Sequence, residues 1–267
     1  MPDIFSLIKN WWKQTLLLLL LSLVTTGVIV YTKRPEYLSV ATAVPASTYT
    51  SDKARLFNSN IEQLYTALGT PDDLDLVVGT GKLDTVYLAV TAQFNLQDHY
   101  KTGEKGEAAI GKAASLLKKN SSVTKSEYGE LKVRVWDTDK NLAPQLANAV
   151  MNQLQFMHQG LRNAGNEATL GSLITGRKRL QQQMDSVPAD ATAAMMTRLA
   201  GYDKLIDEYQ LIVDNRAPAL VVVENARTSD WPDRPKRVQW MLATAVLALL
   251  FSLLLAALLE KRKSAIG

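Results

Sequence analysis

The chain has 267 residues, of which 47% are hydrophobic and 21% charged, a composition of folded proteins and not of disordered or collagen-like ones. It contains no cysteine, which excludes disulfides, thiolate metal sites, iron–sulfur clusters and a cysteine nucleophile. The two histidines, His99 and His158, are far apart in the sequence and supply little for metal or triad chemistry.

Two uncharged apolar segments lie near the ends of the chain, at residues 15–31 and 238–259. As helices they would be about 26 and 33 Å long, against a bilayer core of about 30 Å. Aromatic residues suited to a membrane interface flank them: Trp11, Trp12, Tyr31 and Trp240. A cleaved signal peptide is disfavoured because the A-x-A-like site at 41–43 lies too far beyond the first segment. The sequence predicts two transmembrane helices.

The net charge of +4 resides mostly in the two tails. Of 30 basic and 26 acidic residues, the tails hold five and two, which leaves 25 and 24 for residues 32–237. This balance argues against nucleic-acid binding. Two spans place both termini on one side, predicted to be the cytoplasm, with residues 32–237 outside. Five basic residues flank the spans on that other side: Lys33, Arg34, Arg234, Lys236 and Arg237.

The first half of the middle segment alternates between strand and helix patterns. Residues 36–44 predict a strand that ends at Pro45, and residues 51–68 predict a helix that is broken at Pro71-Asp72-Asp73. Two further helices are predicted over 83–94 and 108–118. A strand with one wet face is predicted from Ser122 to Trp136.

The second half is dominated by helical periodicity. An acidic turn at 137–139 is expected to cap a helix over 141–185, whose apolar stripe is Leu142, Leu146, Val150, Leu154, Met157 and Leu161. Four glycines leave its continuity open, and Pro188 ends it. A second helix has the 4/3 spacing of a coiled-coil seam at Met195, Leu199, Tyr202, Ile206, Tyr209 and Val213. Packing within the chain and packing between chains both fit this seam. A buried returning strand is predicted at 219–224.

No motif indicates an enzyme or a cofactor site. Gly79-Thr80-Gly81-Lys82 lacks the first glycine and the final Ser or Thr of a P-loop, so it predicts a plain turn. Asp72, Asp73 and Asp75 are most simply a solvated turn, and Arg177–Arg179 a solvated helix face. We therefore expect no catalytic, metal-binding or cofactor-binding residues.

The predicted fold class is α+β, with two transmembrane helices around a membrane-proximal α/β domain that carries a long coiled-coil-like helical extension. The predicted organisation is a cytoplasmic N-terminus (1–14), span one (15–31), the α/β domain (32–140), the extension (141–217), a returning strand and proline-containing junction (218–237), span two (238–259) and a cytoplasmic tail (260–267).

Three segments resemble the chain-length determinant (Wzz-type) family of polysaccharide co-polymerases. They are the strand at 36–45, the strand, acidic turn and helix start at 128–154, and the strand and proline-rich junction at 220–237. The matching residues at the helix start are Ala143, Ala147 and Asn148, and those at the junction are Pro232 and Pro235, beside Trp231. Unlike many members, this chain has no proline in the second span, and it stops eight residues after that span.

The resemblance implies a non-catalytic, homo-oligomeric protein of the bacterial inner membrane, ring- or bell-shaped outside the membrane. It would regulate the chain length or export of a surface polysaccharide such as O-antigen, capsule or exopolysaccharide, in the short form that lacks a kinase domain. Its implied partners are other copies of itself, a polymerase or export protein, the polysaccharide chain and membrane lipid. Two alternatives remain: an adaptor that activates a separate cytoplasmic tyrosine kinase, and an unrelated coiled-coil membrane tether.

Overall fold

The computed structural model describes residues 4–46, 71–184, 189–216 and 218–266. In chain order the elements are α1 (Ile4–Thr32), β1 (Tyr37–Pro45), α2 (Pro71–Thr80), α3 (Asp84–Phe94), α4 (Leu96–His99), α5 (Glu107–Lys119), β2 (Ser121–Lys125), β3 (Leu131–Asp137), α6 (Leu142–Met184), α7 (Ala189–Asn215), β4 (Leu220–Glu224) and α8 (Arg237–Ile266). The helix predicted over 51–68 lies outside the described residues.

The fold is α+β, with an apolar helix at each end, an antiparallel sheet and the long helix α6. It divides into two compact units. The terminal unit comprises Met1–Leu38, Asp137–Lys140 and Ser229–Gly267, and the middle unit comprises Ser39–Trp136 and Asn141–Thr228. Because α1 and α8 come from opposite ends of the sequence, the first unit is assembled by a long-range contact.

Strands from distant parts of the chain form one sheet in the order β2–β3–β1–β4. The first and last of these along the chain are neighbours, since β1 pairs antiparallel with β4 from Thr42↔Glu224 to Pro45↔Leu220. The chain that leaves α1 and the chain that leads to α8 therefore run side by side.

The strand predicted from Ser122 to Trp136 is a hairpin of two strands, β2 and β3. The turn is closed by the Ser126 N–H, which donates to the Glu130 carbonyl at 2.8 Å, and it contains Gly129 at φ +75°. This left-handed conformation suits glycine, so the turn depends on one residue that the alternation pattern does not display. The alternation itself is confirmed in β3, where Leu131, Val133 and Val135 are fully buried.

The core of the middle unit is built from small and branched side chains of the sheet and helices. Its members include Ala41 and Ala43 of β1, Val86 and Val90 of α3, Ala113 and Leu117 of α5, and Leu146, Val150 and Leu154 of α6. The helices predicted over 83–94 and 108–118 are confirmed as α3 and α5.

Pro71-Asp72-Asp73, predicted to break a helix, instead begins one. Proline is favoured in the first turn of a helix because its missing N–H has no partner there. The helix α2 ends at Thr80, and the predicted turn before the next helix is confirmed, since the Lys82 N–H donates to the Gly79 carbonyl at 3.1 Å.

The long helix α6 runs without interruption through its glycines for 43 residues, or about 64 Å. In the acidic turn that precedes it, Asp137 Oδ1 accepts the N–H of Asp139 at 2.8 Å. The predicted stripe is wrong at Leu161, which is 64% exposed. Beyond Met157 the inward face of α6 includes half-buried polar positions such as Asn163 and Asn166, and apolar burial resumes at Leu170 and Leu180.

The returning strand β4 is present, but the prediction that it is buried is wrong. Only Leu220 is buried, whereas Val221 and Val223 are exposed. Because β4 is the edge strand of the sheet that the described residues form, its apolar run reflects strand propensity and not full enclosure.

Candidate membrane anchor and helical hairpin

The two terminal helices pack against each other in antiparallel orientation. The Trp11 indole N–H donates to Glu260 Oε2 at 2.7 Å, and Thr26 Oγ1 donates to Thr244 Oγ1 at 3.2 Å. Small residues at every fourth position of α8 face the contact, and Ala248, Ser252 and Ala256 are buried there. Small side chains let two helices approach closely, which is how apolar helices associate in lipid. The antiparallel pairing places the beginning of α1 beside the end of α8.

The outward faces of this helix pair are apolar and exposed. Leu17 of α1 is 67% exposed, and Leu254 and Leu258 of α8 are exposed to the same degree. Within the described residues, Trp11–Thr32 and Arg237–Lys261 are long and apolar enough to cross a membrane, and the predicted spans 15–31 and 238–259 lie inside them. An apolar surface of this extent is not left in water by soluble proteins.

The segment that follows α1 and the segment that precedes α8 are hydrogen-bonded to each other just beyond the apolar helices. The Glu36 N–H donates to the Arg234 carbonyl at 2.9 Å, and the Asp233 N–H donates to the Glu36 carbonyl at 2.9 Å. The Glu36 carboxylate lies 3.7 Å from the Arg234 guanidinium. Of the predicted junction residues, Trp231 and Pro232 are exposed, whereas Pro235 is half-buried in a cis peptide bond with Arg234.

The helices α6 and α7 form an antiparallel hairpin in the middle unit. Its contacts pair the middle of α7 with the later part of α6: Arg177 donates to Asp203, and Tyr202 packs directly over Gly176. Near the other end, the Gln159 side-chain amide donates to the Arg216 carbonyl. The Arg177 in the predicted solvated run therefore has a structural partner, while Lys178 and Arg179 are exposed.

The residues of the predicted seam share one environment. All six are half-buried: Met195, Leu199, Tyr202, Ile206, Tyr209 and Val213. Their neighbours Met196, Leu205 and Leu211 are exposed. The 4/3 spacing thus has a partner within the chain, the helix α6.

The predicted helix start supports the segment that follows β4. Ala143 and Ala147 are fully buried. Asn148 uses both ends of its amide on one backbone residue: Oδ1 accepts the Ala226 N–H at 2.8 Å, and Nδ2 donates to the Ala226 carbonyl at 3.4 Å. This amide replaces the strand partner that Ala226 lacks beyond the end of β4.

One polar contact in the middle unit joins residues that the sequence did not connect. Thr80 Oγ1 donates to the Leu76 carbonyl at 3.0 Å, which leaves its oxygen to accept from His158 Nε2, also at 3.0 Å. Burial lowers the pKa of His158, so its neutral form is favoured in the folded protein. Its partner lies 78 residues away, in the segment tested as a P-loop. No local motif displays such a pair.

Another buried polar group is that of Tyr87, whose hydroxyl donates to the Gly81 carbonyl at 2.7 Å. Burial, with a smaller contribution from the Asp84 carboxylate, raises the pKa of Tyr87 to about 12. A phenol that stays protonated and donates to backbone is a structural group, not an acid–base catalyst at neutral pH. Within the described residues, no group of three or more His, Asp or Glu side chains is placed to hold a metal ion.

Comparison with known proteins gives a match by structure and none by sequence. No family model matches the chain, and no curated protein matches it by sequence. The structure matches over its full length a solved structure described as a full-length bacterial polysaccharide co-polymerase. That match has 10% sequence identity and a TM-score of 0.41, and covers 100% of this chain and 98% of the other. At this identity and TM-score the likeness supports no conclusion about function.

We predict that Asn148→Ala lowers the free energy of unfolding by about 1–3 kcal/mol, because it leaves the Ala226 backbone groups without partners. The matched control is Asn152→Ala, which removes an exposed amide on the same helix and is expected to change stability by less than about 0.5 kcal/mol. Denaturant unfolding of the two variants in detergent measures the difference. Equal effects would contradict the assigned role of Asn148.

A second prediction compares two glycines of α6. Gly171→Ala is expected to stabilise the protein by about 0.5–1 kcal/mol, because a Cβ there meets open space and alanine favours helix. Gly176→Ala is expected to lose that gain, because its Cβ would lie 2.9 Å from the Tyr202 ring.

The thermal unfolding midpoints of both variants are compared in the parent chain and in a Tyr202→Ala chain. Removing the ring is expected to restore the gain at position 176 and to leave position 171 unchanged. If Gly176→Ala stabilises the parent chain as much as Gly171→Ala does, the close packing of the hairpin is wrong.

Proposed function

We propose that this chain is a non-catalytic, oligomeric protein of the bacterial inner membrane that regulates the length or export of a surface polysaccharide. The observation that carries the proposal is the order of elements: an apolar helix, a sheet strand, a long antiparallel helical hairpin, a returning strand paired with the first, and a second apolar helix paired with the first. The sequence resemblance at 36–45, 128–154 and 220–237 supplies the class of function.

In this proposal α1 and α8 cross the membrane together. Their exposed leucines then contact lipid tails, and the small-residue face of α8 contacts α1. Because the pair is antiparallel, both ends of the chain lie on one side, the cytoplasm. The middle unit, with its sheet and hairpin, lies on the periplasmic side.

The protein acts in this account by contact and geometry, not by catalysis. Several polar side chains that could be read as functional are engaged with backbone or with each other: Asn148 with Ala226, Tyr87 with Gly81, and His158 with Thr80. Each of these pairs stabilises the fold, and none leaves a polar group aimed at a substrate.

Association of several copies is proposed through the hairpin. Its outward side carries large apolar side chains, and Phe156, Leu161 and Leu211 are each at least 64% exposed. Burial of such side chains between copies would be favourable by about 1.5–3 kcal/mol each. Closed cyclic symmetry is the usual arrangement of identical subunits, and a ring of fixed size would limit how long a polymer grows beside it.

The test is deletion of the gene in its native bacterium, followed by complementation and separation of the surface polysaccharides by size. Deletion is expected to abolish or shift the modal length while synthesis continues, and the unaltered gene is expected to restore it. The variant Leu161→Ser, Leu211→Ser is expected to yield smaller oligomers in detergent and a shifted modal length, because it removes apolar surface between copies.

The matched control is Tyr128→Ser, which removes a side chain that is 87% exposed but lies in the β2–β3 turn. It is expected to leave both oligomer mass and modal length unchanged. An unaltered polysaccharide profile after deletion would refute the proposed function. An unaltered oligomer mass in the double variant would refute the hairpin as the contact between copies.

A further inference from the structure

A group of basic side chains surrounds the ends of the apolar helices at the junction of the terminal unit. We call Lys33, Arg34, Lys236 and Arg237 the basic collar. Lys33 and Arg34 follow α1, Lys236 precedes α8, and Arg237 is its first residue. The backbone bonds between Glu36 and residues 233–234 bring the two pairs to one level of the terminal unit.

The collar retains most of its positive charge. Within the described part of the chain, no carboxylate forms a close ion pair with Lys33, Arg34 or Lys236, and all three are exposed. Arg237 lies over the Tyr31 ring, 4.7 Å from its centroid, a contact that does not neutralise the cation. The junction also contains acidic residues, but Glu36 is engaged with Arg234. Asp230 and Asp233 are the other two carboxylates of this segment.

The collar lies where a bilayer would have its headgroups. The candidate spans end at Thr32 and begin at Arg237, so the charged groups follow directly after the apolar stretches. Tyr31 and Trp240, both largely exposed, mark the same level on the two helices. Aromatic rings of this kind favour the membrane–water interface, and the phosphates of the lipids lie at that depth.

The junction is as basic as the two tails together, since the junction and the tails each hold five basic residues. The preference of basic residues for the cytoplasmic side applies to short loops, whereas a segment as long as residues 32–237 crosses largely regardless of its charge. In the proposed topology these charges therefore lie at the outer surface, where they can act on what is present there.

We propose that the basic collar binds the phosphate-bearing headgroups of anionic phospholipids and so concentrates these lipids around the outer ends of α1 and α8. Exposed ammonium and guanidinium groups at headgroup depth attract anionic lipid, and Arg237 is held in place over Tyr31. The proposal requires that the two helices lie in a bilayer. It does not require the polysaccharide function.

The absence of cysteine allows a probe to be placed at the collar itself. The variant Thr32→Cys, labelled with a fluorophore, is reconstituted in bilayers of phosphatidylcholine and phosphatidylglycerol. A trace of one lipid or the other carries a quenching spin label near its headgroup. The measured quantity is a ratio: the quenching by spin-labelled phosphatidylglycerol divided by the quenching by spin-labelled phosphatidylcholine. Quenching by spin-labelled phosphatidylcholine also shows that the protein has inserted into the bilayer.

We expect this ratio to be about two to five at low salt and to approach one at high salt, because the attraction is electrostatic. The variant Lys33→Gln, Arg34→Gln, Lys236→Gln, which keeps Arg237, is expected to lower the ratio most of the way toward one. The matched control, Lys9→Gln, Lys13→Gln, Lys261→Gln, removes three charges at the opposite end of the helix pair and is expected to leave the ratio unchanged.

A ratio of one in the unsubstituted collar would overturn the proposal. An equal fall in the collar variant and in the control would also overturn it, because the attraction would then belong to the net charge of the protein and not to the collar. Neither result depends on polysaccharide, so the regulation of polymer length stands or falls separately.

Discussion

The antiparallel contact between α1 and α8 is the constraint on which the terminal unit depends. These helices come from opposite ends of the sequence, and the Trp11–Glu260 and Thr26–Thr244 bonds set their register. The contact brings the two ends of the chain together. It also makes the rest of the chain a loop that must leave from one helix and return to the other, and the backbone bonds between Glu36 and residues 233–234 close that loop.

Within the middle unit, the returning chain is held by pairing and by one side chain. β4 returns beside β1, and Asn148 takes over from the sheet at Ala226, where strand pairing has ended. The start of α6 therefore has two roles: Ala147 packs in the core, and its neighbour Asn148 secures the path of the chain toward α8. The far part of α6 packs on α7 through contacts such as Gly176 with Tyr202.

The features that the sequence predicted well are those with a long periodic signal. Two long uncharged runs specified the terminal helices, the 4/3 spacing from Met195 to Val213 specified the packed face of α7, and alternation specified β3.

Errors arose where one residue decides the backbone conformation, as Gly129 does in the β2–β3 turn and Pro71 does at the start of α2. Leu161 and Val223 were misjudged because an apolar side chain indicates burial only when a partner element is present on that side. The pairs of Asn148 with Ala226 and His158 with Thr80 each span 78 residues, and no local pattern contains them.

The central claim is that the paired helices cross a membrane with the middle unit on one side and both chain ends on the other. Single cysteines in this cysteine-free chain test it: Tyr128→Cys in the exposed β2–β3 turn and Ser264→Cys near the C-terminus. Cells with a permeabilised outer membrane are treated with a maleimide that cannot cross the inner membrane. The account predicts that position 128 is labelled at once and position 264 only after the inner membrane is disrupted. Labelling of both positions while the inner membrane is intact, or of position 264 alone, would contradict it.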